Sequence, residues 1–149
     1  MVEASEKRKV SLILGGSSFM GLSLLRELAS NPDDAVIFCN RGKKYWGGES
    51  FKIQEQNKLN VIHVKADRKK SGKYISKILS ALDSNFPQTK QFYISQVADF
   101  CCFNEDDASV GTELAKTLAS KQQESFIYTF ISTDSIYDAS HYIIDAHKS

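Results

Sequence analysis

The chain has 149 residues, of which 42% are hydrophobic, a length and composition that suit one domain with a single buried core. Its 19 basic and 18 acidic side chains give a formal net charge of +1, so overall charge does not favour nucleic acid or an anionic membrane surface. Three cysteines, Cys39, Cys101 and Cys102, form an odd set that suits a reducing compartment better than a disulfide framework. The apolar run Leu12–Leu14 is too short for a signal-peptide core or a membrane span, so we expect a soluble, cytoplasmic protein.

Short apolar runs alternate with stretches of helical periodicity along the chain, which is the pattern of βαβ units and a parallel sheet. The first strand is predicted at Lys9–Leu14 and the first helix at Phe19–Ser30. Met20, Leu24 and Leu28 recur at a spacing of four residues, which predicts that they form the inward face of this helix with Gly21 and Leu25 beside them.

The remaining elements continue the alternation. A second strand at Ala35–Asn40 leads through a polar loop with a Gly-Gly pair to a third strand at Leu59–Ala66. The later elements are predicted as a helix at Tyr74–Ser84, a strand at Gln91–Ala98, a helix at Glu105–Lys121 and a strand at Ser125–Ser132. We therefore expect one α/β domain that spans residues 1–149.

A glycine-rich turn from Gly15 to Gly21 joins the first strand to the first helix. Such a turn can hold phosphate, because the first N–H groups of a helix lack partners and that end of the helix is partly positive. The outer glycines have the spacing of a G-x-x-G-x-x-G turn, with Ser18 in the middle position. No Gly-Lys-Ser/Thr follows, which excludes a P-loop. The alternative interpretation is a tight turn without a ligand.

Four stretches of sequence carry a resemblance to one known family. LILGGSSFMG, FCNRGK (38–43), VIHVKADRKK (61–70) and FISTDSIYD (130–138) resemble a G-G-T-x-F-x-G turn, an FNRG strand end, a G-D-R-R-D strand end and an FISSDSVYG strand. These motifs are similar to those of atypical extended short-chain dehydrogenases/reductases, the NAD-dependent epimerase/dehydratase superfamily that includes chloroplast stem-loop RNA-binding proteins. Pattern and resemblance together predict a Rossmann-type doubly wound parallel sheet with strand order 3-2-1-4-5 that binds NAD or NADP.

The resemblance implies that the glycine-rich turn faces or packs around the cofactor's pyrophosphate. The residues concerned are Gly15, Gly16, Ser17, Ser18, Phe19, Met20 and Gly21. Asn40 and Arg41 stand where an acidic residue would bind the ribose hydroxyls of NAD. Because an arginine suits a 2′-phosphate instead, the resemblance favours NADP over NAD.

Residues after the third, fourth and fifth strands complete the implied site. Asp67 would contact the adenine ring and Arg68 would stack on it. Val97 and Ala98 would lie against the cofactor at the end of the fourth strand. Thr133 resembles the Ser/Thr of the family's catalytic centre, although without the resemblance we would interpret it as a strand-forming residue.

The sequence also departs from the family's pattern. The catalytic Tyr-x-x-x-Lys should lie beyond Ser149, and the nearest candidate, Tyr142, has Ala146 where the lysine should be. Without this pair, hydride transfer lacks its acid/base partner. The sixth strand and the substrate lobe are also missing. We therefore expect the cofactor half of an epimerase, dehydratase or reductase for a small-molecule or sugar-nucleotide substrate, catalytically incomplete as this chain stands.

Several other polar residues have simple interpretations. His63 lies in an apolar strand, where a packed or edge histidine is more common than a base. His141 and His147 have no Cys or acidic partner at a recognised spacing, so no metal site is predicted. Cys101 and Cys102 are expected to be inert thiols.

Basic residues follow the ends of the second and third strands, with two aromatic residues among them. The basic residues are Arg41, Lys43, Lys44, Lys65, Arg68, Lys69, Lys70 and Lys73, and the aromatic ones are Tyr45 and Trp46. This group suits a 2′-phosphate, or RNA bound through backbone charge and base stacking, or a plain solvated surface. An RNA-binding or regulatory protein that keeps the fold without redox chemistry is therefore the second functional hypothesis.

Overall fold

The computed structural model describes residues 7–17, 19–43, 46–85 and 92–131, with the backbone alone at positions 19 and 46. Several residues singled out above lie outside this description. They are Ser18, Lys44, Tyr45, Thr133, Tyr142, Ala146, His141 and His147, together with the side chains of Phe19 and Trp46.

Strands and helices alternate along the described chain. The strands are β1 (Arg8–Leu14), β2 (Ala35–Asn40), β3 (Val61–Lys65), β4 (Phe92–Asp99) and β5 (Ile127–Phe130). The helices are α1 (Phe19–Ala29), α2 (Glu49–Gln56), α3 (Ser71–Asn85) and α4 (Glu105–Lys121). All neighbouring strands pair in parallel in the order β3-β2-β1-β4-β5, which confirms the predicted Rossmann-type order 3-2-1-4-5.

Apolar clusters cover both faces of the sheet. Leu12 and Leu14 of β1 lie in a cluster with side chains of α3 and α4, whereas Ile13 lies in a second cluster with side chains of α1 and α2. Successive side chains of a strand point to opposite faces, so a strand covered on both sides is apolar throughout. The near-continuous apolar runs of β1 and β2 follow from this double burial.

The inward face of α1 agrees with the prediction except at its first residue. Leu25 is buried, and Leu24 and Leu28 pack partly buried against the second cluster, whereas Met20 is 60% exposed and Leu22 is buried in its place. The prediction that Met20 faces the core is therefore wrong. The physical reason is the close approach of Gly21 to Gly16, which turns an adjacent side of the helix toward the sheet.

A short helix, α2, stands in the segment that was predicted as a polar loop, so that prediction is corrected. A 3-10 turn at Trp46–Gly48 leads into it, and Gly48 at its N-cap has a left-handed backbone with no side-chain cap. Only Ile53 and Ser50 are buried among its eight residues. So few buried positions produce no helical period in the sequence.

The bounds of β2 and α4 agree with the prediction, while α3 begins at Ser71 instead of Tyr74. The start of α4 has a clear local cause, since the side chain of Asn104 accepts a hydrogen bond of 2.9 Å from the Asp107 backbone N–H. Three acidic residues in the first turn further stabilise the helix by interacting with the positive end of its dipole.

Candidate functional site

A cavity of about 810 Å³ opens at the carboxyl edge of the sheet. The predicted cofactor residues that line it are Gly15, Gly16, Ser17, Met20, Gly21, Asn40, Arg41, Asp67 and Arg68. They come from the segments that follow β1, β2 and β3, which meet at one edge because these strands are parallel. This edge is where open α/β sheets bind their ligands.

Val97 and Ala98 do not line the cavity. Both are buried within β4, which continues to Asp99, one residue beyond the predicted end. The cavity wall next to β4 is formed instead by Phe100 and Cys101, which follow the strand. A correct prediction of the end of β4 would have moved the implied contact to these residues.

Lys43 and Lys69, two of the basic residues considered for a 2′-phosphate, also line the cavity. The lining residues that the sequence did not indicate are Cys39, Ala66, Tyr74, Phe103, Asp107 and Ile131. Their position in the sequence could have indicated them, because most of them lie at or within a few residues of a strand end or in the first turn of a helix.

The glycine-rich turn brings α1 against the chain that leaves β1. A Cβ atom added to Gly21 would lie 2.8 Å from the backbone nitrogen of Gly16 and 2.9 Å from its Cα atom. Real Cβ atoms do not approach a backbone this closely, so only glycine fits at position 21. Gly15 and Gly16 have φ angles of +107° and +95°, a region that other residues rarely adopt.

Three side chains form a hydrogen-bonded chain beside this turn. The Oδ1 atom of Asn40 lies 2.8 Å from the Gly42 backbone nitrogen and 2.7 Å from Nε2 of His63. The Nδ2 atom of Asn40 donates to the hydroxyl of Ser17, which is buried in the cavity wall. The chain thus connects the glycine-rich turn to the half-buried face of β3.

His63 packs among aromatic side chains, as predicted. Its ring centroid lies 4.8 Å from that of Phe38 and 4.9 Å from that of Phe51. Burial lowers the pKa of His63, and the positive charge of Lys65 lowers it further. Both effects disfavour the charged imidazolium.

Arg68 and Asp99 form a buried ion pair on the other side of the cavity. The two guanidinium Nη atoms lie 2.8 Å from the two carboxylate oxygens, and the residues are 7% and 1% exposed. The Arg68 Nε atom also donates to the backbone carbonyl of Asp107 at 3.1 Å, and the Tyr128 hydroxyl donates to Asp99 at 2.6 Å. Burial disfavours the charged guanidinium, but the hydrogen bonds and charge of Asp99 outweigh it and raise the pKa of Arg68.

This ion pair fixes Arg68 in the cavity wall. Protein groups occupy the hydrogen-bonding edge of its guanidinium, whereas stacking on adenine would use the face of the same plane and stays a prediction. Asp99 was not identified from the sequence. The available signal was a single carboxylate at the end of an apolar strand, which requires a partner when it is buried.

Cys39 and Cys101 line the cavity, and burial favours the protonated thiol of both, which supports the prediction that Cys101 is inert. Burial raises the pKa of Cys39 to about 12. Burial, and then the charge of Asp99, raise the pKa of Cys101 to about 11. The thiolate is the reactive form of cysteine, and it is scarce at neutral pH when the pKa is this high. Within the described ranges, no group of three or more His, Cys, Asp or Glu side chains is arranged to hold a metal ion.

Basic side chains form one rim of the cavity. Arg41, Lys43 and Lys69 line it and are exposed to solvent. The side chains of Tyr45 and Trp46, which would stack on RNA bases, are not among the described ones. In the part of the chain that the structure covers, no helix is both long and apolar enough to cross a membrane.

No protein-family model matches the sequence, and no curated protein matches it. Two solved structures superpose on most of the chain. A short-chain dehydrogenase/reductase from Saccharomyces cerevisiae has a TM-score of 0.64 and 17% identity over 85% of this chain and 54% of that one. A beta-ketoacyl-[ACP] reductase from Bacteroides thetaiotaomicron has a TM-score of 0.63 and 14% identity over 93% of this chain and 70% of that one.

A third solved structure, an archaeal thiolation-reductase di-domain from a non-ribosomal peptide synthetase, has a TM-score of 0.51 and 18% identity over 89% of this chain and 29% of that one. This chain thus spans only about half the length of the yeast protein. At such identities the similarity establishes architecture, and the chain has the Rossmann-type fold of short-chain dehydrogenases/reductases.

Proposed function

We propose that the chain is an NAD(P)-binding domain of a reductase- or epimerase-like protein of the extended short-chain type. The observation that carries the proposal is the cavity at the carboxyl edge of the sheet, which has the glycine-rich turn on one side and a basic rim on another. Its volume of about 810 Å³ lies in the range of small-molecule and cofactor sites. The four sequence motifs support the choice of group, since each contributes at least one described residue to the cavity lining.

The glycines of the turn suit a dinucleotide because they carry no side chain. A Cβ atom at position 21 would press against the backbone of Gly16, so glycine there lets α1 approach the turn closely. In the proposed complex the pyrophosphate lies at the N-terminus of α1, where the first N–H groups of a helix lack partners. Ser17 adds a hydroxyl at the same wall. In the proposed complex, Asp67 after β3 accepts a hydrogen bond from the adenine amino group.

The basic rim supports NADP as the favoured cofactor. Arg41 follows β2, where the ribose of the adenosine half lies in dinucleotide-binding folds, and Lys43 and Lys69 line the same cavity. A 2′-phosphate carries charge that these exposed cations attract, and arginine can bind it through two parallel hydrogen bonds. NAD has only hydroxyls at that position and gains less from the same side chains.

Binding without turnover is the proposed property of the 1–149 polypeptide. A bound nicotinamide supplies or accepts the hydride, whereas the protein must supply the acid or base. The sequence of these 149 residues contains no Tyr-x-x-x-Lys after Thr133, and the hydroxyl of a threonine alone is too weak an acid at neutral pH. A small-molecule or sugar-nucleotide substrate belongs to the proposal for a longer chain.

Calorimetric titration of residues 1–149 with NADP⁺ and, separately, NAD⁺ tests the proposal. We expect saturable binding of both at one site per chain, with tighter binding of NADP⁺, and competition by ADP for either ligand. A parallel absorbance assay with NADPH should detect no steady oxidation. Failure of both dinucleotides to bind at millimolar concentration would refute the proposed function.

A further inference from the structure

We propose that the Ser17 hydroxyl donates a hydrogen bond to a pyrophosphate oxygen of the bound dinucleotide, and that Asn40 and His63 are positioning residues that impose this direction. The inference rests on the proposed function and assigns roles within that site. It depends on the contacts among Ser17, Asn40, Gly42 and His63.

A backbone group fixes the donor–acceptor direction of the hydrogen bonds that link His63, Asn40 and Ser17. The N–H of Gly42 can only donate, so the Asn40 atom 2.8 Å away must be the carbonyl oxygen of the amide. The amide nitrogen of Asn40 therefore faces Ser17. Because this nitrogen can only donate, the Ser17 oxygen must accept the hydrogen bond between them.

The same oxygen fixes the tautomer of His63. An amide oxygen carries no hydrogen, so Nε2 of the neutral imidazole must bear the proton that forms the 2.7 Å contact. Phe38 and Phe51 hold the ring in place by packing against it. Two donors, one from Gly42 and one from His63, thus keep the Asn40 amide from rotating by half a turn.

Ser17 is left with one hydrogen to donate. Its oxygen already accepts from Asn40, and no acceptor for its own hydrogen is found among the described residues. The side chain is 6% exposed and lines the cavity beside the glycine-rich turn. An anionic oxygen in the cavity is the partner that completes this arrangement, because hydrogen bonds to charged acceptors are the stronger class.

ADP and adenosine 2′-monophosphate distinguish the two phosphate positions of the proposed cofactor. ADP carries the 5′-pyrophosphate, whereas the 2′-monophosphate carries only the group assigned to the basic rim. We expect Ser17→Ala to weaken ADP binding by roughly tenfold or more, the effect of losing a hydrogen bond to a charged group. Binding of the 2′-monophosphate should change less than about twofold.

Asn40→Asp tests whether Ser17 accepts its hydrogen bond from residue 40. A carboxylate has no hydrogen to give, so the Ser17 hydroxyl must turn to donate to it and is lost to the ligand. The new negative charge also repels ADP, whether or not Ser17 is present. A double-mutant cycle with Ser17→Ala separates the two effects, because the charge contribution cancels and only the coupling remains. We expect Asn40→Asp to weaken ADP binding several-fold less in the Ser17→Ala background.

His63→Phe and His63→Gln form a matched pair of variants. Phenylalanine keeps the packing against Phe38 and Phe51 but removes the donor, whereas glutamine keeps an N–H donor at similar reach. We expect ADP affinity to fall several-fold in His63→Phe, to be retained within about twofold in His63→Gln, and to be insensitive to either change once Ser17 is alanine. Nitrogen NMR of the histidine ring at pH 7.5 should report the proton on Nε2 without any ligand.

The outcomes separate this inference from the proposed function. If the wild-type chain binds neither ADP nor a dinucleotide, both are overturned. If it binds them but the Ser17 and His63 effects multiply independently, or the ring proton lies on Nδ1, only the positioning roles are overturned. Urea unfolding of each variant confirms that a lost affinity reflects the site of a folded chain.

Discussion

The Arg68 guanidinium and the Asp99 carboxylate meet through two hydrogen bonds of 2.8 Å, although β2 and β1 lie between their strands in the sheet. Arg68 follows β3 and extends along the carboxyl edge to reach the end of β4. Its Nε atom also binds the first turn of α4 through the Asp107 carbonyl. One buried pair therefore links three segments of the wall of the proposed site.

Loss of the charge on Asp99 should destabilise the chain. Asp99→Asn keeps the shape of the side chain but leaves the buried guanidinium without its counterion, and breaking such a pair costs roughly 3–5 kcal/mol. Urea unfolding measures the effect. Glu55→Gln is the control, because the Glu55–Lys58 pair is largely exposed and its loss should change the free energy of unfolding by less than about 0.5 kcal/mol. Equal effects of the two substitutions would contradict the prediction.

Two helical glycines should respond to alanine with opposite signs. A Cβ atom at Gly72 meets nothing within 4 Å, so Gly72→Ala should stabilise the chain by up to about 1 kcal/mol through helix propensity. At Gly111 the same atom would lie 2.5 Å from the Tyr128 hydroxyl and 2.9 Å from Arg68 Nη2. Gly111→Ala should therefore destabilise the chain despite the same gain in propensity. Thermal unfolding of both variants decides, and a stabilised Gly111→Ala would sink the idea.

Gly21→Val should abolish dinucleotide binding and weaken the fold. A branched side chain cannot fit where even a Cβ atom would lie 2.8 Å from the Gly16 backbone, and overpacking of this kind costs about 1–3 kcal/mol. Calorimetry with NADP⁺ and urea unfolding measure the two effects. A variant that folds and binds normally would reduce the glycine-rich turn to a connection between β1 and α1.

Arg41→Asp should shift cofactor preference from NADP toward NAD. The exposed guanidinium attracts a 2′-phosphate, whereas a carboxylate repels it and accepts hydrogen bonds from ribose hydroxyls. The ratio of the NADP⁺ and NAD⁺ dissociation constants should change by at least about tenfold. Lys116→Asp, an equal change of charge on α4 away from the cavity lining, should leave the ratio unaltered. A similar shift in both variants would point to long-range charge.

Alkaline pH should activate the cavity thiols and reduce stability. The pKa of Cys101 rises from an ordinary value of 9.0 to about 11 in the folded chain, and that of Cys39 rises to about 12. A raised folded-state pKa contributes stability in full below pH 9, and this contribution is lost as pH rises toward 11 and 12. Iodoacetamide labelling of Cys101 should keep accelerating up to about pH 11. A plateau near pH 9 in the folded chain would argue against the burial of this thiol.

The sequence predicts most of the fold because its signals are local. The start of α4 is marked by Asn104 and an acidic first turn, and the five apolar runs give the strands to within a few residues. α2 was missed because its N-cap is a glycine and its one buried apolar side chain is Ile53, so its stability comes from packing.

The lining of the site could be predicted where a motif marks a turn or a strand end, as at Gly15–Ser17, Asn40–Arg41 and Asp67–Arg68. The contacts among its residues could not be predicted, since Asp99 pairs with a residue 31 positions away. Likewise, 23 positions separate Asn40 from Ser17 and the same number separate it from His63. No periodicity or spacing in the sequence specifies such pairs, because the residues become neighbours only when the strands are assembled into the sheet.

The hydrogen bonds that link His63, Asn40 and Ser17 take their donor–acceptor direction from Gly42, which acts through its backbone N–H and not through a side chain. Its φ of +82° aims the N–H at Asn40, and a Cβ atom there would press within 3.0 Å of the Lys65 side chain. A library of variants selected for dinucleotide affinity should thus covary at positions 17, 40 and 63 while position 42 stays glycine. Position 42 would stay glycine because of its backbone angle, whereas positions 17, 40 and 63 would vary together because each hydrogen bond between them needs one donor and one acceptor.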